Sequence, residues 1–245
     1  MGVTAKKTLS AVALEQFAAM AHATARSLNG TFLSMEEIEC KDLLDFAKKM
    51  DELTGPQRAI ALLDFAQKCM TKVATELKTI KNKIEKSDLD FSRITNYKNI
   101  FIALVEVCNS TTGAPISALL PLLEAITGRV IYRREMWNEL KKVLREKQND
   151  ETQTFLQIVR KVRDTGRIVG RRVPHKVISR PLLIKGLEFD HSIILDADKL
   201  SEKELYVALT RGSYELSIVS AKKQLYNAVK GAAATGHLGV SQNDK

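Results

Sequence analysis

The stretch Lys185-Gly186-Leu187-Glu188-Phe189-Asp190-His191-Ser192-Ile193-Ile194-Leu195-Asp196 decides the fold class. Its residues 192–195 are nearly continuous in apolar character and run into Asp196-Ala197-Asp198, the pattern of a strand buried on both faces of a parallel sheet. Downstream, Leu205, Ala208 and Leu209 recur at helical spacing, and Ser201 followed by Glu204 has the form of a capping box. A helix is therefore expected over 201–211. Leu216-Ser217-Ile218-Val219 reads as the next strand. Strand, helix, strand is one unit of an α/β layer, whose ligand sites characteristically lie beyond the carboxyl ends of the strands. Just upstream, Val177-Ile178 and Leu182-Leu183-Ile184 are two more short strand-like runs.

Before residue 165 the character is different. Apolar residues recur at helical spacing between turn signals such as Asn29-Gly30, Thr54-Gly55-Pro56 and Thr112-Gly113-Ala114-Pro115. Helices are expected over 10–28, 35–50, 57–86, 96–109, 116–127, 133–147 and 151–165, with Ser10 and Ser34 as N-caps. The organisation expected is a mainly α-helical region over 1–165, an α/β segment over 166–230 and a flexible, glycine-containing tail over 231–245.

With 245 residues, 44% of them hydrophobic and 27% charged, the chain is large enough for a real core and has a globular composition. This excludes a disordered, collagen-like or wholly coiled-coil protein. No apolar run approaches the roughly 20 residues that cross a bilayer, and the start carries no secretion signal, so a cytoplasmic protein with no membrane partner is expected. Cys40, Cys69 and Cys108 are too scattered for a zinc site or a disulfide framework and read as buried thiols. The net charge of +9 favours a polyanionic partner. Residues 160–180 concentrate it: Arg160, Lys161, Arg163, Arg167, Arg171, Arg172, Lys176 and Arg180 are opposed only by Asp164. A solvated cationic face and a phosphate-binding surface carry comparable weight for this run.

Two blocks carry a resemblance. Lys185-Gly186-Leu187-Glu188-Phe189-Asp190 and, one strand and one helix later, Leu205-Tyr206-Val207-Ala208-Leu209-Thr210-Arg211-Gly212 resemble motifs V and VI of UvrD/Rep-type superfamily 1 DNA helicases. The likeness covers about 171–220 and implies a partial RecA-like parallel sheet belonging to a second motor domain. It implies that Arg211 is an arginine finger, stabilising charge on the transferred phosphoryl group of ATP. It also implies that Gly186 and Glu188 contact nucleotide. From the residues alone, Gly186 suits a tight turn or a close phosphate approach, and Glu188 a ribose hydroxyl or a link to Arg211. Arg211 is polar, near a helix end and not expected to matter for the core. Asp196-Ala197-Asp198 is read as a capping loop in preference to a magnesium site.

The chain contains no Gly-x-x-x-x-Gly-Lys-Ser/Thr and so lacks its own means of holding triphosphate and magnesium. The resemblance then implies an ATP and Mg2+ site completed by a first motor domain, in cis or in trans. A fragment, a split helicase and a degenerate relative fit equally. A rival reading is a non-catalytic nucleic-acid-binding or regulatory module derived from a helicase. Where the family has a Thr and a His facing single-stranded DNA, this chain has Arg180-Pro181-Leu182-Leu183-Ile184. Arg167, Arg171, Arg172, Lys176 and Arg180 are the candidate phosphate contacts to single-stranded or partly duplex DNA. Trp137, Tyr132 and Tyr97 are weighed as base-stacking groups, with helix packing favoured for Trp137.

Overall fold

The computed structural model describes residues 10–37, 40–90, 92, 94–169, 173–223 and 225, without the side chains of 166–169; the tail expected over 231–245 lies outside the described residues. Its elements in chain order are β1 (Ala11–Leu14), α1 (Ala18–Ser27), β2 (Leu33–Ser34), α2 (Lys41–Glu52), α3 (Gly55–Cys69), α4 (Val73–Glu76), α5 (Lys78–Glu85), α6 (Lys98–Asn109), α7 (Ala114–Glu124), α8 (Arg134–Asn149), α9 (Phe155–Val169), β3 (Lys176–Ser179), β4 (Phe189–Ile194), α10 (Glu202–Leu209) and β5 (Gly212–Ile218). The fold is α/β. All five strands are parallel, in the order β2-β3-β1-β4-β5.

The central strand is the one the sequence hides. A helix expected from residue 10 is corrected to a strand, Ala11–Leu14, followed by the shorter helix Ala18–Ser27. Ala-Val-Ala-Leu has one β-branched residue and no polar alternation, so locally it continues the helical pattern of the alanines after it. Pairing on both sides overrides that preference. Val12 sits opposite Val177 on one side and Ser192 on the other, and Val12 and Leu14 are fully buried. Ser10, expected to cap a helix, instead ties two strands together: its N–H and hydroxyl donate to Asp190 Oδ2 at 2.7 and 2.8 Å. The Asp190 N–H in turn donates to Ser10 Oγ at 3.0 Å.

The sheet is thus assembled from both ends of the chain. The helices α2 to α9 form an insertion between β2 and β3, where the sequence placed a helical region ahead of the sheet. The helix expected over 57–86 is three helices. Lys72 takes a positive φ of 70° and Met70 bridges to Ile131, while the apolar spacing runs on through Cys69, Met70, Val73 and Leu77 and conceals the break. Leu182-Leu183-Ile184 is not a strand either. It is a 3-10 turn, Pro181–Ile184, started by a proline whose fixed φ suits a first helical turn. The capping box at Ser201 and Glu204 is present in both halves.

The insertion has its own core, centred on residues such as Leu62, Phe101, Leu119 and Trp137. Trp137 is 1% exposed and donates to Glu124 Oε1 at 2.6 Å, Tyr132 is buried, and Tyr97 lies against Glu76, which makes these aromatic residues packing groups. The three cysteines are free and buried, and burial pushes the Cys40 thiol up to about 12. One ionic cluster joins the insertion to the end of β2. Buried Arg133 donates to Glu36 Oε1 and Oε2 at 2.7 and 2.5 Å and to Asp42 Oδ2 at 2.7 Å. Burial works against the Arg133 charge, but the two carboxylates outweigh it and hold its pKa well above the ordinary range. Beside it, His22 shares a hydrogen bond with Ser34 Oγ at 2.5 Å, and burial, then the Arg133 charge, lowers its pKa to about 4.

Because the Ser10–Asp190 exchange is half-buried and joins strands distant in sequence, Asp190→Ala is expected to cost about 1–3 kcal/mol in urea unfolding. Ser10→Ala is expected to cost a similar amount. Unchanged unfolding midpoints for both would show that the ladder alone holds β1 in place.

Candidate nucleotide and phosphate surface

The sequence-selected nucleotide residues converge at the amino ends of β4 and β5, not at the carboxyl ends where α/β sites were expected. The geometry follows from the path of the chain. After β3 the 3-10 turn carries the backbone back to the start of β4, so Lys185-Gly186-Leu187-Glu188 arrives there as a loop. Gly186 supplies the bend with φ +85°; a Cβ would meet nothing within 4 Å, so the backbone conformation and not crowding calls for glycine. Leu187 N–H closes the turn onto Ile184 O at 2.9 Å.

Arg211 enters the same place from α10. Its backbone carbonyl accepts from Phe189 N–H at 2.9 Å, which starts the β4–β5 pairing. Its side chain is half-buried, and all three guanidinium nitrogens are engaged. Nη1 donates to Leu187 O at 2.8 Å, Nε to Val207 O at 3.0 Å and Nη2 to Thr210 Oγ1 at 2.8 Å. Arg211 and Glu188 form no ion pair: the guanidinium binds the neighbouring Leu187 carbonyl, and the Glu188 carboxylate is exposed. A hollow of about 150 Å3 opens beside them, lined by Ser10, Val173, Pro174, His175, Leu187, Glu188 and Phe189.

Of the candidate phosphate contacts, the two whose side chains are described, Lys176 and Arg180, lie at opposite ends of β3. Lys176 is exposed at the amino end of β3, in register with Ala11 and on the same end of the sheet as Arg211. Arg180 lies past the other end of β3, where its Nη2 pairs with Glu37 Oε1 at 2.9 Å. Arg167 belongs to α9, but its side chain, together with Arg171 and Arg172, lies outside the described residues. Two more cations of the run are committed within the insertion: Arg163 to Glu139 at 2.5 Å and Lys161 to Glu146 at 3.1 Å. Asp198 accepts from Ser220 Oγ and Ala221 N–H, both at 3.1 Å, and Asp196 pairs with Lys199 at 2.8 Å, in keeping with a capping loop. Among the described residues no cluster of three or more His, Cys, Asp or Glu side chains is arranged to hold a metal ion.

Three groups at this site escaped the sequence reading. Ser10 is 180 residues from its partner and no local signal links them; the Leu187 carbonyl is invisible in any side-chain pattern; Thr210 stood inside the quoted block but was passed over beside Arg211. Comparison with protein-family models and with curated sequences finds no match, so the likeness to UvrD/Rep helicases rests on the motif residues. Among the described residues no helix is long and apolar enough to cross a membrane.

The observed contacts also change what Arg211 is expected to do for folding. Its guanidinium joins α10 to the loop before β4, so Arg211→Ala is expected to lower stability by about 1–2 kcal/mol and to speed amide exchange at Leu187. A melting curve and exchange pattern identical to wild type would return Arg211 to the status of a free surface side chain.

Proposed function

We propose that the chain is the second motor half of a UvrD-like, ATP-dependent DNA helicase. In this reading Arg211 acts as the arginine finger, and Gly186 and Glu188 face the nucleotide. The phosphate loop and the groups that hold Mg2+ belong to another segment or chain. The observation that supports it is the state of Arg211. Its guanidinium is half-buried and held in place, yet it has no carboxylate partner among the described residues, whereas Arg163 and Arg180 each have one and Arg133 has two. A fixed cation without a counter-ion, next to an exposed carboxylate and a glycine turn, is suited to receive an anion that arrives with a ligand. Negative charge grows on the phosphoryl group during hydrolysis, so such a cation stabilises the transition state more than the bound nucleotide. In the same reading the exposed Glu188 carboxylate accepts hydrogen bonds from a ribose, and DNA, single-stranded or partly duplex, is the polymer partner.

The 245-residue chain alone is expected to show no ATP turnover. Supplied with a first motor domain of this helicase class, in cis or in trans, it should hydrolyse ATP in a DNA-dependent manner, and Arg211→Ala should lower kcat by about 10³ with little change in nucleotide affinity. Equal turnover by wild type and Arg211→Ala would remove the reading.

Binding of single-stranded DNA is expected to weaken steeply as salt rises. Lys176→Ala should reduce the salt slope by about one unit, and Arg180→Ala should leave it unchanged because Glu37 already neutralises that charge. Salt titrations of the two variants check this, and an Arg180 effect equal to that of Lys176 would place the polymer at the opposite end of the sheet.

A further inference from the structure

The hydrogen bonds of Arg211 hold it in a position that a phosphoryl group would have to change. Nε and Nη2 donate to Val207 O and Thr210 Oγ1, so the side of the guanidinium that offers two parallel N–H groups is occupied by neutral acceptors. The Thr210 hydroxyl lies 3.0 Å from Val207 O and 3.2 Å from Tyr206 O, so it donates its own proton to the end of α10 and turns a lone pair toward Arg211. Of the five guanidinium donors, three are used and two remain, enough for a first contact with an anion. A bidentate grip through Nε and Nη2 requires Thr210 to let go.

We propose that Thr210 is a positioning residue that parks Arg211, and that a phosphoryl group competes with the Thr210 hydroxyl for the guanidinium. This inference rests on the reading of Arg211 as a phosphoryl-binding residue and names how that contact is controlled. The competition has a definite direction, because a phosphate oxygen carries charge and the hydroxyl does not, so the exchange runs toward the anion once it is delivered. Until then the arginine is withheld from the cleft. A resting site would not fire on every passing anion.

The test uses the full 245-residue chain with ¹⁵N-labelled arginine, the Arg211 Nε resonance being identified by its loss in Arg211→Lys. Inorganic tripolyphosphate is the probe. In wild type the resonance should shift on titration. Thr210→Val, which keeps the shape and removes the hydroxyl, should saturate at about fivefold lower tripolyphosphate, the equivalent of one modest hydrogen bond. Thr210→Ser should behave as wild type. Weaker or equal binding by Thr210→Val overturns the competition, since a residue that merely supports Arg211 would weaken binding when cut back. A wild-type resonance that ignores tripolyphosphate overturns it as well. Failure of the helicase reading looks different: the titration holds, but Arg211→Ala leaves turnover of the completed enzyme unchanged.

Discussion

Everything in the α/β half hangs on where β1 is wedged. Four residues, Ala11–Leu14, pair with β3 on one side and β4 on the other, and those strands begin at Lys176 and Phe189. Closing so long a loop costs only slowly more as the loop lengthens, so an insertion that holds α2 to α9 is tolerated if the closing contacts are strong enough. The Ser10–Asp190 exchange fixes the start of that pairing with three short hydrogen bonds. A slip of one residue would turn Val12 and Leu14 away from the apolar side they share with Val177 and Ile194. Register and burial therefore specify the same arrangement.

The insertion in turn has to meet the sheet without leaving a charge unpaired. Arg133, 5% exposed, is placed between Glu36 at the end of β2 and Asp42 in the first turn of α2. A buried pair of this kind is weak evidence of net stability, but losing one partner strands the other, which makes the contact specific to this docking. Arg58 does comparable work inside the insertion. At 1% exposure it donates to the carbonyl of Met50 in the last turn of α2 and to those of Thr111 and Thr112 in the turn between α6 and α7, and its guanidinium lies 5.5 Å from the centre of the Phe155 ring.

The α/β class and the β4–α10–β5 unit were legible because their signals are local. A buried apolar run, a capping box and the next apolar run lie within about thirty residues. β1 was not legible, because Ala-Val-Ala-Leu becomes a strand only through partners more than 160 residues away. The same distance kept Ser10 from being recognised as the partner of Asp190. At the site, the side chains that carry chemistry were readable as types, but their end of the sheet was not. That depends on the 3-10 turn at Pro181–Ile184, which a run of leucine and isoleucine disguises as a strand. The basic run was legible only as a count of cations: composition does not reveal that Glu37, Glu139 and Glu146 answer three of them.

The two ends of the sheet consequently differ in kind. Past the carboxyl ends, Arg180 is matched by Glu37 and Lys199 by Asp196, while Glu15 sits buried with one carboxylate oxygen lacking a partner. The two cations named at that end are thus already answered by carboxylates. At the amino ends Lys176 is exposed and Arg211 is held by neutral groups only, with Glu188 as the exposed carboxylate beside them. The reversal of the usual α/β arrangement is then a consequence of chain path: the loop that returns across the sheet before β4 and the helix that precedes β5 both deliver their polar termini to the side where the strands begin, so Glu188 and Arg211 come together there.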